Sequence, residues 1–220
     1  MRLFTGIALA PHVRDNLARV LQELRPLAAL NWAPVENLHI TSKFIGEWPE
    51  ERLAELERTL ENLSPPGGFE VTIARFGYFP NPHNPRTLFA GIQAEAPGPV
   101  AQRHAHLIQD KSTSAAIDRV KGAGQAGSAL AELADRIDEA LRPLGVAHEN
   151  RPYSPHLTLA RIKHGNIREL REHIAHMTNF DFGTFQVSEF HLYLSKPGPK
   201  GSVYTSLATY SLTAAASIQA

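Results

Sequence analysis

Two short stretches of this 220-residue chain carry one pattern. In "NLHITSKF" (37–44) and "SPHLTLAR" (154–161) a histidine is followed by an apolar residue and then a threonine. Both stretches read as strands, where alternate side chains share a face. His39 and Thr41 therefore point one way, and so do His156 and Thr158, while Ile40, Leu157 and Leu159 point toward packed helices. Each stretch offers one imidazole and one hydroxyl. Brought together, the four groups suit phosphoryl chemistry. Imidazole changes charge near neutral pH, so one histidine can take a proton from water while the other gives one to a departing oxygen. Hydroxyls can hydrogen-bond phosphate oxygens where charge develops. This chemistry needs no metal. A 2′,3′-cyclic phosphate is a fitting substrate, because its strained ring opens by in-line attack without large displacement. A lone His-x-Thr is close to noise. Two of them, each with a proline nearby (Pro34, Pro155) and at matching places in the chain, carry more weight.

The matching places follow from element order. A short apolar strand, "RLFTGIAL", precedes Pro11. From His12 to about Leu30, apolar residues recur at the three-and-four spacing of an amphipathic helix. The first His-x-Thr strand follows, then a helix opened by Pro49, which ends before "SPPGG". The strands "FEVTIARFGYFP" and "TLFAGIQAE", joined by "NPHNPR", read as a hairpin. The order then resumes: the helix "LAELADRIDEALRPLG", the second His-x-Thr strand, the helix "IRELREHIAHM", the strand "FQVSEFHLYLSK", the turn "PGPKGS" and the strand "VYTSLATYSL". Each half holds a helix, a His-x-Thr strand, a helix and a hairpin. The expectation is an α+β, bilobal, duplicated fold. Two pseudo-symmetric lobes, with antiparallel sheets flanked by helices, enclose a central cleft within a single domain spanning 1–220. Residues 97–127 are rich in Ala, Gly, Ser and charge and have poor periodicity. They read as a surface insertion or mobile segment, and the tail "TAAASIQA" as frayed.

Composition narrows the function classes. Lysine plus arginine equals aspartate plus glutamate at 22 each, so the chain is not a broadly cationic nucleic-acid binder, and any nucleic-acid contact is local. The absence of cysteine excludes disulfides, zinc-thiolate sites and thiol catalysis. The N-terminal apolar run is weak for a signal peptide and no stretch is long enough to span a bilayer, so the expectation is a soluble, cytoplasmic protein.

"HITS" and "HLTL" resemble the two signature tetrads of the two-histidine phosphoesterase superfamily. More narrowly, the chain is similar to the bacterial and archaeal RNA 2′,3′-cyclic phosphodiesterases, once called 2′-5′ RNA ligases. The likeness spans nearly the whole chain. It takes in "RLFTGIAL", "W-x-P-x-E-N-L-H-I-T" from Trp32 to Thr41, "KFIGE", "RPYSPHLTLAR" and "LYLSKPGPKGSVYTSL". The resemblance implies a site between the lobes and hydrolysis of a terminal 2′,3′-cyclic phosphate on RNA or nucleotide to a 2′-phosphomonoester. It implies His39 as proton donor to the leaving 3′-oxygen, His156 as the base that activates water, and Thr41 and Thr158 as phosphate holders. The residues alone leave open which histidine does which. No cofactor and no metal are expected. The partners expected are RNA 3′ ends or nucleotides bearing the cyclic phosphate, with no membrane, and the chain is expected to be a monomer. A non-catalytic RNA- or nucleotide-binding module, and 2′-5′ end-joining by the reverse reaction, are the alternatives.

Two departures from the family pattern stand out. Ser42 occupies a tetrad position that is usually apolar; it faces away from the site by parity, so its effect is expected in packing. The segment 97–127 is longer than the usual connection. Arg161 matches the arginine after the second tetrad, where it can meet phosphate, but strict alternation sets it against His156 unless the strand bulges. Lys43 shares the parity of His39, and a solvated lysine is the expectation. Phe44 has the parity of Ile40 and is expected in the core. Tyr153, in the loop before the second tetrad, is the better aromatic for stacking on a base. His104 with His106, and His173 with His176, lack a third ligand at convincing spacing and read as solvated pairs.

Overall fold

The N-terminal strand β1 (Arg2–Ala8) leads into α1 (Pro11–Leu24). Proline suits a helix's first turn, because its missing N–H would have no partner there. Leu17, Leu21 and Leu24 face inward along α1 with no exposed surface. Pro26 then stops the helix in a short 3-10 turn (Arg25–Leu27), so the helical stretch is shorter than its apolar spacing suggests. In this computed structural model residues 1–64, 66–95, 129–163, 165–178, 180–198 and 201–212 are described. The stretch 97–127 and the tail 213–220 lie outside them.

The remaining elements are β2 (Asn31–Trp32), β3 (His39–Glu47), α2 (Leu53–Glu61), β4 (Phe69–Phe79), β5 (Thr87–Glu95), α3 (Ala129–Leu141), β6 (His156–Arg161), α4 (Arg168–His176), β7 (Asp181–Val187), β8 (Glu189–Gly198) and β9 (Gly201–Ser211). They form two antiparallel sheets. One has the strand order β3-β1-β8-β9, the other β2-β6-β5-β4-β7. The two His-x-Thr strands, β3 and β6, fall in different sheets, as a duplicated bilobal fold requires. Helix α3 packs on β3 and α2 on β9, while α1 packs on β7. The apolar faces merge into one contiguous core that includes Ile40, Leu157 and Leu159, none with exposed surface. Burial of such a side chain contributes about 1.5–3 kcal/mol. The residues between the histidines and threonines thus anchor both strands.

The lobes are interleaved. The hairpin β4–β5 follows the first His strand in sequence but pairs with the second, through β5 and β6. The hairpin β8–β9 follows the second His strand but joins β1 in the other sheet. The apparent single strand "FQVSEFHLYLSK" is two strands: β7 pairs with β4 and β8 with β1, and the chain changes sheet at Ser188. Apolar alternation slips by one residue at this switch, from Phe185 and Val187 to Phe190, Leu192 and Leu194, because each strand buries one face against its own sheet's side of the core.

Candidate active site

Both His-x-Thr strands bulge at the same point. In β3, Thr41 pairs with Gly6 and Lys43 with Thr5, which leaves Ser42 without a partner. In β6, Thr158 pairs with Phe89 and Ala160 with Leu88, which leaves Leu159 without one. The fourth tetrad position is the bulge residue in each lobe. A bulge inserts one residue and reverses the parity of everything after it.

Three expectations based on strict alternation change accordingly. Lys43 is not solvated but buried, at 7% exposure, and its ammonium pairs with the Asp138 carboxylate of α3 and donates to the Ala147 carbonyl at 2.7 Å. Phe44 is not in the core but 51% exposed. Arg161 lies exposed on the same side of β6 as His156 and Thr158, and one of its guanidinium nitrogens donates to Thr87 Oγ1 at 3.3 Å. Ser42 is buried, as expected of a packing residue, and its hydroxyl has no partner among the described residues.

The two imidazoles are held alike. His39 Nδ1 lies 2.7 Å from the Asn37 carbonyl and His156 Nδ1 lies 2.9 Å from the Ser154 carbonyl, each two residues back. A carbonyl only accepts, so Nδ1 carries the hydrogen in both rings, and Nε2 is the nitrogen left for chemistry. His39 Nε2 lies 2.9 Å from Thr41 Oγ1, which donates to it when the ring is neutral. Thr158 is half-buried on the matching face of β6.

Aromatic walls surround each ring. Phe4 lies 4.7 Å from His39, centroid to centroid, and Tyr204 meets it edge-on at 5.2 Å. Phe79 and Phe89 meet His156 at 4.9 and 5.6 Å. Burial accordingly pulls the His39 imidazole below its ordinary range; the Asn37 carbonyl opposes this, and the charge of His156 adds to it. Burial also lowers His156, against the Ser154 carbonyl, and the charge of Arg161 lowers it further. The two histidines are close enough that charge on one disfavours charge on the other.

Two strand glycines make room for these rings. A Cβ on Gly6 would sit 2.8 Å from the Ile40 carbonyl oxygen and 3.2 Å from His39 Cδ2. A Cβ on Gly77 would sit 2.2 Å from the Phe89 ring. The walls and glycines were not picked out from sequence, although glycine inside a strand signals close approach by another group. Tyr153 is placed as a brace: its hydroxyl donates to the Thr41 carbonyl at 2.7 Å, so the loop before β6 is tied to β3. Burial pushes its phenol pKa up. Among the described residues no three His, Cys, Asp or Glu side chains are grouped to hold a metal ion. His173 and His176 are exposed on α4, and His104 and His106 lie outside the described residues. No helix among the described residues is long and apolar enough to cross a membrane.

Known proteins are similar to this chain in sequence and fold. A family model described as LigT like phosphoesterase matches residues 7–89 and 122–204, a span that takes in both His-x-Thr strands. An RNA 2′,3′-cyclic phosphodiesterase of Thermus thermophilus is 32% identical over 216 residues, covering 96% of this chain and 90% of its own length. One of the same name from Archaeoglobus fulgidus is 28% identical over 210 residues, covering 96% and 99%. A crystal structure of a Thermus thermophilus protein superposes with a TM-score of 0.70 at 28% identity, covering 96% of this chain and 98% of that one. With its duplicated sheets and paired His-x-Thr strands, the chain belongs to the LigT-like phosphoesterase family.

Proposed function

We propose that this protein hydrolyses a 2′,3′-cyclic phosphate at an RNA end or on a nucleotide, leaving a 2′-phosphomonoester. The observation that carries the proposal is the pair of imidazoles, each with Nδ1–H committed to a backbone carbonyl and Nε2 left for proton transfer. The relatives' name, RNA 2′,3′-cyclic phosphodiesterase, supports the substrate class.

His156 takes a proton from water on Nε2, and the water oxygen forms a bond to phosphorus. The bond from phosphorus to the 3′-oxygen breaks, and His39 Nε2–H gives its proton to that oxygen. The products are a 3′-hydroxyl and a 2′-phosphomonoester. The imidazoles end with exchanged protonation states and reset through solvent. The Arg161 charge supports the base role of His156, because it favours the neutral ring. His39 needs a proton before reaction, and the anionic substrate supplies the charge that favours it. Thr41 and Thr158 hydrogen-bond the phosphate oxygens, and Arg161 meets their charge. No metal takes part in this scheme. Residues 1–220 act as one two-lobed unit.

The test is incubation with adenosine 2′,3′-cyclic phosphate in EDTA, with the product isomer identified. Adenosine 2′-phosphate is the expected product. A 3′-phosphate would require the opposite orientation of substrate, and no product at all would leave a binding module.

A further inference from the structure

A cavity of about 1240 Å3 opens beside the second His strand. Its walls come from the β4–β5 turn, the segment after β6, and the first turns of α4. Five cations line it (Arg86, Arg161, Lys163, Arg168 and Arg171) against one carboxylate, Glu172. In a chain whose charges balance at 22 and 22, this is a strong local excess. Glu172 is already paired with Arg168 at 2.8 Å, so it does little to offset the other four. Arg86, Lys163 and Arg171 are exposed, and the Arg171 guanidinium lies 6.0 Å from the centre of the Tyr78 ring. The nine-residue helix α4 starts in this wall, and its N-terminal end favours anions.

The cavity adjoins the His156 side of the site through Arg161, which lines it, donates to Thr87 in the same wall and acts by its charge on His156. At about 1240 Å3 the cavity exceeds the usual volume of a small-ligand pocket, about 300–1,000 Å3. Its charged groups are almost all cationic, which suits phosphates better than stacked bases.

We infer that this groove binds the phosphodiester backbone of a single-stranded RNA whose 3′-terminal cyclic phosphate lies at the imidazoles. The inference rests on the proposed hydrolysis and deepens it: the preferred substrate is an oligoribonucleotide, and a mononucleotide uses only part of the site. Arg86, Lys163 and Arg171 act as binding residues that set substrate length.

The test uses the triple variant Arg86→Gln/Lys163→Gln/Arg171→Gln in the full chain, which leaves Arg161 in place. Two substrates are compared, adenosine 2′,3′-cyclic phosphate and a hexaribonucleotide ending in a 2′,3′-cyclic phosphate. Binding of a fluorescent hexaribonucleotide with a plain 3′-hydroxyl end is followed by anisotropy across salt concentrations. The native protein is expected to favour the hexamer in kcat/KM by about tenfold or more, with a salt slope near −0.7 per phosphate contacted. The variant is expected to bind the hexamer more weakly, with a shallower slope, and to hydrolyse both substrates with the native mononucleotide kcat/KM. Unchanged hexamer binding and kcat/KM overturn the inference, and so does an equal loss on both substrates. If the native protein hydrolyses neither substrate, the proposed function fails, and the anisotropy comparison still decides whether the groove binds RNA.

Discussion

An imidazole acts as a general base only while it is neutral, and Arg161 keeps a positive charge near His156. Removing that charge makes protonation of His156 easier. Arg161→Gln is therefore expected to move the acidic limb of the kcat/KM profile to higher pH, where activity is lost as pH falls through the raised pKa. Arg161→Lys keeps the charge and is expected to keep the limb in place. A pH–rate comparison of the three proteins checks this, and an unshifted limb in the glutamine variant would sink the argument. His39→Ala and His156→Ala are each expected to reduce kcat by about 10²–10⁴-fold, the usual contribution of one proton-transfer group. Steady-state turnover at the native rate in either variant would remove that residue from the mechanism. Strand parity in the sequence was enough to put each histidine on the same strand face as its threonine, because these positions precede each bulge.

At the scale of the strand, the bulges at Ser42 and Leu159 carry information that strict alternation misses. Parity places Ile40, Leu157 and Leu159 in the core, where they lie. Beyond the fourth tetrad position it misplaces Lys43, Phe44 and Arg161. A bulge is set by the register of the neighbouring strand, and nothing in "HITS" or "HLTL" alone specifies it. Lys43 has a core-side position and needs the Asp138 carboxylate there. Asp138→Ala is expected to destabilise the protein by about 3–5 kcal/mol, because it leaves a buried ammonium unpaired. The double variant Lys43→Met/Asp138→Leu should recover most of that loss, as read from urea unfolding midpoints. Gly6 allows the closest approach to His39. Gly6→Ala forces a shift against the Ile40 carbonyl and is expected to lower kcat by displacing the ring. Native kcat in a folded Gly6→Ala protein would refute this role.

Across the whole molecule, interleaving makes the two lobes interdependent. The β4–β5 hairpin completes the sheet of the second His strand, and β8–β9 completes that of the first, so neither half of the sequence builds its own lobe. The Tyr153 hydroxyl adds a tie across the cleft to the backbone beside Thr41. Tyr153→Phe is expected to cost about 0.5–1.5 kcal/mol of stability. It is also expected to raise KM more than it lowers kcat, if the tie holds the two lobes in register; a thermal melt and a kinetic split measure both. Local properties of the chain were readable in its sequence: helix positions from three-and-four spacing, strands from alternation, and the duplication from element order. The two His-x-Thr motifs were readable for the same reason, since each is written within a few adjacent positions. Which sheet each hairpin joins, where β7 gives way to β8, and where the bulges fall depend on pairing with distant strands. The aromatic walls, the glycine clearances and the cationic groove beside Arg161 arise from residues far apart in sequence. Only the folded chain brings them together.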